Sequence, residues 1–172
     1  METTNNEISP YARRFFSRLS NYLDTKLYFF GSVQRYDYFQ SSDIDVDIFS
    51  DNLESTLSKM RNFLHVKKEE FKKIIWRLKT KNKVITGYKI MYLQPEHNFA
   101  AEFSIYEEKY KDDILSIHKS KSSIPFYATF ILIIVKFLYY TLNIIPSSLY
   151  SSCKKFFLNG GIGRIDEEFV VI

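Results

Sequence analysis

Cys153 is the only cysteine in 172 residues, so neither an intramolecular disulfide nor a cysteine-rich zinc site can form. Glycine and proline are scarce, at 5 and 4 residues, which excludes collagen-like and low-complexity chains. Residues 1–10 lack the basic-then-apolar layout of a secretory signal, so an intracellular, reducing, cytoplasmic setting is the expectation. A strong charge imbalance is missing too. The 24 basic against 20 acidic residues leave +4, too little by itself to imply a nucleic-acid partner. What abounds is apolar surface: 45% of the chain is hydrophobic, with 16 Phe and 13 Tyr. A chain of this length buries on the order of 70% of its unfolded surface. The expectation is a single domain over 1–172, with a core over 10–106 and a C-terminal helical part over 107–172. The richness in Lys, Ile, Tyr, Phe and Asn is the bias of an A+T-rich genome, such as that of a large DNA virus, a protist or a low-GC bacterium.

Ser9 before Pro10 reads as an N-cap with proline in the first helical turn, and Phe15, Phe16, Leu19 and Leu23 recur at helical spacing. The first helix is therefore expected from about Pro10 to Tyr22. Leu27 to Phe30 is a short apolar run ending at Gly31-Ser32, and Ile44, Val46 and Ile48 alternate with Asp43, Asp45 and Asp47. These patterns predict two strands, joined by a loop with a helical turn near Val33 to Tyr38. Asp51 is placed to cap a second helix bearing Leu53, Leu57, Met60 and Leu64. Strands are predicted over Phe71–Leu78, Val84–Leu93 and Phe99–Tyr106, and a helix over Glu107–Ile117. The class is α+β: a mixed four- to five-stranded sheet flanked by helices, with a C-terminal apolar helical segment.

That segment, Phe126 to Ile145, admits two readings. It is either a fully buried helix or a membrane anchor, with Lys136 costing about 2.5 to 3.5 kcal/mol near its centre. Lys136, Thr141 and Asn143 interrupt the run, and a lysine stem can snorkel to a globule's surface. Burial is favoured, and a membrane partner is not expected. A further helix over Leu149–Leu158 is predicted to stop at Asn159-Gly160-Gly161.

The chemistry concentrates in LYFFGSVQRYDYFQSSDIDVDIF, residues 27–49. Residues two apart on a strand share a face, so Asp43 and Asp45 project together, about 6.6 Å apart along the backbone. Like charges in a row need a counter-ion, and carboxylate and phosphate oxygens are the ligands that Mg²⁺ prefers. Two metals would clamp the attacking and leaving oxygens of an in-line displacement at phosphorus. Glu102, the lone acid in Ala100-Ala101-Glu102-Phe103-Ser104-Ile105, is the candidate third carboxylate, since an unpaired charge in an apolar strand is costly. Gly31 permits close backbone approach, and Ser32 offers a hydroxyl and an N–H to phosphate oxygens.

In order, Gly31, Ser32, Asp43, Asp45 and Glu102 resemble the motif of the DNA polymerase β-like nucleotidyltransferase superfamily: an apolar strand, Gly-Ser, a spacer, Asp-x-Asp, then a third acid on another strand. The resemblance covers about residues 10–106. It implies Mg²⁺ (or Mn²⁺) held by Asp43, Asp45 and Glu102, and a nucleoside triphosphate, ATP by expectation, bound at Gly31 and Ser32. It further implies nucleoside monophosphate transfer to a hydroxyl with release of pyrophosphate. The acceptor stays open between a small molecule, a protein and a nucleic-acid end. Family members more often carry Asp at the third position, so a catalytically inactive scaffold or nucleotide-binding protein is the alternative.

Bland readings stand beside these. The three aspartates could be the polar face of an edge strand, and Glu102 could pair with Lys89 across strands. The stretch Lys67, Lys68, Lys72, Lys73, Arg77, Lys79, Lys81 and Lys83 around Trp76 is read as a solvated face over a core tryptophan, ahead of a track for a nucleic-acid backbone. His65, His97 and His118 lack metal-ligand spacing and are expected at the surface or satisfied. Cys153 is expected as a small buried residue. Tyr106, Tyr127, Tyr139 and Tyr140 could pack or stack on a base.

Overall fold

In the computed structural model, which describes residues 4–78, 82–122, 126–157 and 167–171, helix α1 spans Pro10–Leu23 and starts where Ser9 accepts a hydrogen bond from the Ala12 N–H. Ala12, Phe16, Leu19 and Leu23 form its buried stripe. Asp24, left-handed at φ 53°, closes the helix with its N–H on the carbonyls of Ser20 and Asn21. Strand β1 follows at Leu27–Phe30, then a 3₁₀ turn at Gly31–Gln34 and strand β2 at Ile44–Ser50. Helix α2 spans Leu53–Leu64, and its cap is Asn52, whose side chain accepts from the Ser55 N–H at 3.0 Å. Asp51 does not take that role. Two cap-competent residues stand side by side, and the one at the correct offset from the first turn wins.

Strands β3 (Lys72–Leu78), β4 (Lys83–Gln94) and β5 (Phe99–Glu107) come next, then helix α3 (Lys111–Ser122) behind a 3₁₀ turn at Glu108–Tyr110. Helices α4 (Phe126–Lys136) and α5 (Ser147–Lys155) and strand β6 (Glu167–Val171) complete the described chain. The six strands form one mixed sheet in the order β1-β2-β5-β4-β3-β6. Only β2 and β5 are parallel, and the other pairs are antiparallel. The expected α+β architecture holds, with β6 bringing the strands to six by adding outside β3. The helix stop expected at residues 159–161 lies outside the described residues.

Alternation along the strands sorts the sheet into two faces. Leu27, Phe29, Ile44, Val46, Ile48, Ala101, Phe103 and Ile105 pack under α1 and α2 with Phe16, Leu19 and Met60. The opposite face carries Tyr28, Phe49, Ile74, Trp76, Ile85 and Tyr106, which α3 covers through Ile114. Trp76 is thus core, its Nε1–H donating to the Tyr106 hydroxyl at 3.1 Å, while Lys72, Lys73 and Arg77 are exposed. Gly87 lies opposite Tyr106, where a Cβ would fall 2.5 Å from the tyrosine ring.

The apolar segment is neither fully buried nor a span. No helix among the described residues is long and apolar enough to cross a membrane. Helix α4 buries Ala128 and Leu132, with Lys136 one turn further, and leaves Tyr127, Phe130 and Ile134 exposed. After a π-helical turn at Phe137–Thr141 the helix ends. Lys136 does not snorkel. Its Nζ donates to the Asp37 main-chain carbonyl at 2.6 Å and lies 3.1 Å from that residue's carboxylate. Cys153 is half-buried.

Candidate metal and phosphate site

Parallel pairing of β2 with β5 sets Asp45 directly beside Glu102. Asp43 sits one residue before β2, so the chain brings three carboxylates to one end of the face on which α3 packs. Their oxygens lie within 4.8 Å of one another. Burial, then the charges of Asp43 and Glu102, push the Asp45 carboxyl up to about 8. Glu102 also holds the Lys89 ammonium at 2.6 Å. The cross-strand pair and the acidic cluster coexist, because Lys89 approaches from β4 while Asp45 lies on β2. The donor set fits a hard divalent cation: all three groups offer oxygen, they converge, and a shared positive charge relieves their mutual repulsion.

Gly31 follows β1 with φ +71°, a conformation that suits glycine. A Cβ there would lie 1.9 Å from Asp45 Oδ2. Absence of a side chain therefore lets the turn close onto the aspartate, which gives this glycine a packing duty beyond the expected phosphate approach. Ser32 is buried in the same turn, and its carbonyl accepts from the Arg35 N–H at 2.9 Å. All five residues singled out in the sequence thus gather around the β1–β2 connection and β5.

A family model described as "Nucleotidyltransferase domain" matches residues 11–125. The chain belongs to the nucleotidyltransferase domain family. No curated protein matches it. Among solved structures, one titled "structure of GLD-2/RNP-8 complex" aligns with this nucleotidyltransferase domain over 89% of this chain and 68% of that chain, at 14% identity and a TM-score of 0.34.

Two clusters near these carboxylates were not visible in the spacing. In the spacer between Ser32 and Asp43, Arg35 forms a bidentate pair with Asp37 at 2.8 and 3.1 Å, and Lys136 joins from α4. Burial alone would raise the Asp37 carboxyl, but Arg35 and Lys136 outweigh it and hold it below the ordinary value. The second cluster is Asp47, fully buried on β2, bonded at 2.7 Å to His118 Nε2. The charge of Lys154, on α5, reaches Asp45, and that of Asp43 reaches Tyr140 and Tyr150. Tyr139 stacks on Tyr150 at 4.5 Å. The C-terminal helices therefore border the carboxylates, and the tyrosines pack on one another there.

Proposed function

We propose that this domain transfers a nucleoside monophosphate from a nucleoside triphosphate to a hydroxyl acceptor, releasing pyrophosphate. The observation that carries the reading is the convergence of Asp43, Asp45 and Glu102 behind the Gly31–Ser32 turn. Asp43, Asp45 and Glu102 would hold Mg²⁺ or Mn²⁺. Bound there, such an ion neutralises the carboxylates and the phosphate oxygens and lowers the pKa of the attacking hydroxyl. Ser32 and the backbone of the turn bind the triphosphate, which excludes water and fixes the orientation of the α-phosphorus. The acceptor oxygen then bonds to that phosphorus, the bond to the bridging oxygen of pyrophosphate breaks, and the hydroxyl proton passes to solvent.

A second reading, a non-catalytic nucleotide-binding or scaffold protein, has one specific support. The Lys89 ammonium already lies on the Glu102 carboxylate, so the third ligand has a partner without metal. Incubating the protein with each of the four ribonucleoside triphosphates separately, with Mg²⁺ or EDTA and with mixed hydroxyl acceptors, decides between the two. Mg²⁺-dependent pyrophosphate release that disappears in Asp45→Asn supports transfer. Release that stays at background for every nucleotide and acceptor, together with intact nucleotide binding, supports the scaffold.

A further inference from the structure

Helix α3 packs on the face of the sheet that bears the carboxylates. Ile114 packs within the cluster that holds Phe49 and Tyr106. His118 lies one helical turn on, about 6 Å along the axis, and meets Asp47, two residues back along β2 and about 6.6 Å nearer the open end. Helix and strand advance in step, and Asp47 lies two residues from Asp45 on the same face of β2. His118 Nε2 bonds Asp47 at 2.7 Å, and its ring lies flat on Phe30, centroids 3.8 Å apart and planes 23° apart. Trp76 meets the same ring edge-on at 6.2 Å. Phe30 immediately precedes Gly31, and α3 packs against the turn itself.

Resting on the nucleotidyl-transfer reading, we propose that His118 is a positioning residue for nucleotide binding. Its bond to Asp47 fixes the plane of the imidazole, and the imidazole seats Phe30 and with it the Gly31–Ser32 turn. The backbones of β2 and β5, which carry Asp45 and Glu102, are held by the sheet ladder and do not need this support. The turn is tied at its far end, through Val33 and Gln34, to Asn5 and Asn6, and the Phe30–Gly31 end is the part that the stack supports. The contacts of His118 run to Asp47, Phe30 and Trp76, so its effect on the turn passes through Phe30.

The test is equilibrium binding of a non-hydrolysable ATP analogue with Mg²⁺, paired with thermal melts, for the wild type, His118→Gln and His118→Phe. Glutamine keeps an N–H donor for Asp47 and removes the ring, so the melting temperature should fall by less than in the phenylalanine variant while affinity falls about three- to tenfold, the worth of one aromatic stack. Phenylalanine keeps the ring and removes the bond, so stability should fall while affinity stays within roughly twofold of wild type. A glutamine variant that binds as tightly as wild type overturns the inference, as does a folded phenylalanine variant that loses affinity to the same degree. If His118→Phe does not fold, the glutamine result alone decides. If the wild type binds no nucleotide, the proposed function fails and the inference falls with it, an outcome visible before any variant is compared.

Discussion

Replacing Asp45 by asparagine should stabilise the metal-free protein, although it removes a residue proposed to hold the metal. The carboxyl is pushed up to about 8 by burial and by Asp43 and Glu102, against about 3.9 in an unfolded chain. The folded state therefore keeps a proton that the unfolded state has lost at neutral pH. A raised carboxyl pKa means that stability falls as pH rises from about 4 through about 8 and is level outside that window. At pH 7 the linkage cost is on the order of 4 kcal/mol, about three pH steps at 1.36 kcal/mol each. Solvent reaching a half-buried side chain reduces it, so about 1 to 3 kcal/mol is the expected gain for Asp45→Asn. At about 2 to 4 °C per kcal/mol for a chain of this size, the melting temperature should rise by roughly 2 to 12 °C. Asparagine is isosteric and keeps the contact with Gly31. Circular-dichroism melts in EDTA from pH 4.5 to 8.5 measure it: the two proteins should converge at the acid end and separate as pH rises. With Mg²⁺ and ATP at a hundredfold excess over Kd, the wild type should gain about 2.7 kcal/mol and the variant less. A difference that does not change with pH, or a variant less stable than wild type at pH 8, refutes the reasoning.

Glu102→Gln should lower single-turnover rates far more than nucleotide affinity, and near-wild-type rates would leave Glu102 as only the partner of Lys89. Gly31→Ala places a Cβ 1.9 Å from Asp45 Oδ2 at a positive φ, so both melting temperature and nucleotide binding should drop; a variant unchanged in either refutes the close approach. Asp37→Asn leaves Arg35 and Lys136 without their shared anion and should cost about 3 to 5 kcal/mol in denaturant unfolding. Lys136→Met should cost less, because Arg35 still pairs with Asp37. Since the Asp37 pKa is depressed, its contribution is complete above the unfolded value near 3.9 and is lost as pH falls through the folded one. Acid melts of Asp37→Asn should therefore be flatter than those of wild type. Ser32→Ala should weaken triphosphate binding by about 0.5 to 1.5 kcal/mol, measured by calorimetry.

Local signals reached the parts of the fold that local chemistry decides. Ser9-Pro10 marked the start of α1, strand alternation placed Asp43 and Asp45 on one face, and Gly31-Ser32 marked the turn before them. Glu102 was legible as an acid in an apolar strand, but its place beside Asp45 depends on the parallel pairing of β2 with β5, which no period encodes. The same limit hid both ion clusters. Asp47 and His118 are 71 residues apart and Lys136 and Asp37 are 99 apart, so each residue alone reads as an ordinary surface charge or an interruption. Asp51 and Asn52 are both good caps, and only the offset of the first turn separates them. Helix α4 misled through composition: its run is apolar all round, yet among its described side chains Ala128, Leu132 and Lys136 are the fully buried ones while Tyr127, Phe130 and Ile134 are exposed.

The most direct test is a crystal grown with Mn²⁺ and a non-hydrolysable ATP analogue, read by anomalous scattering. Manganese is expected between the oxygens of Asp43, Asp45 and Glu102, with the triphosphate against Gly31 and Ser32 and its α-phosphorus open to an acceptor. Anomalous density elsewhere, or nucleotide bound with no metal on these carboxylates, would contradict it.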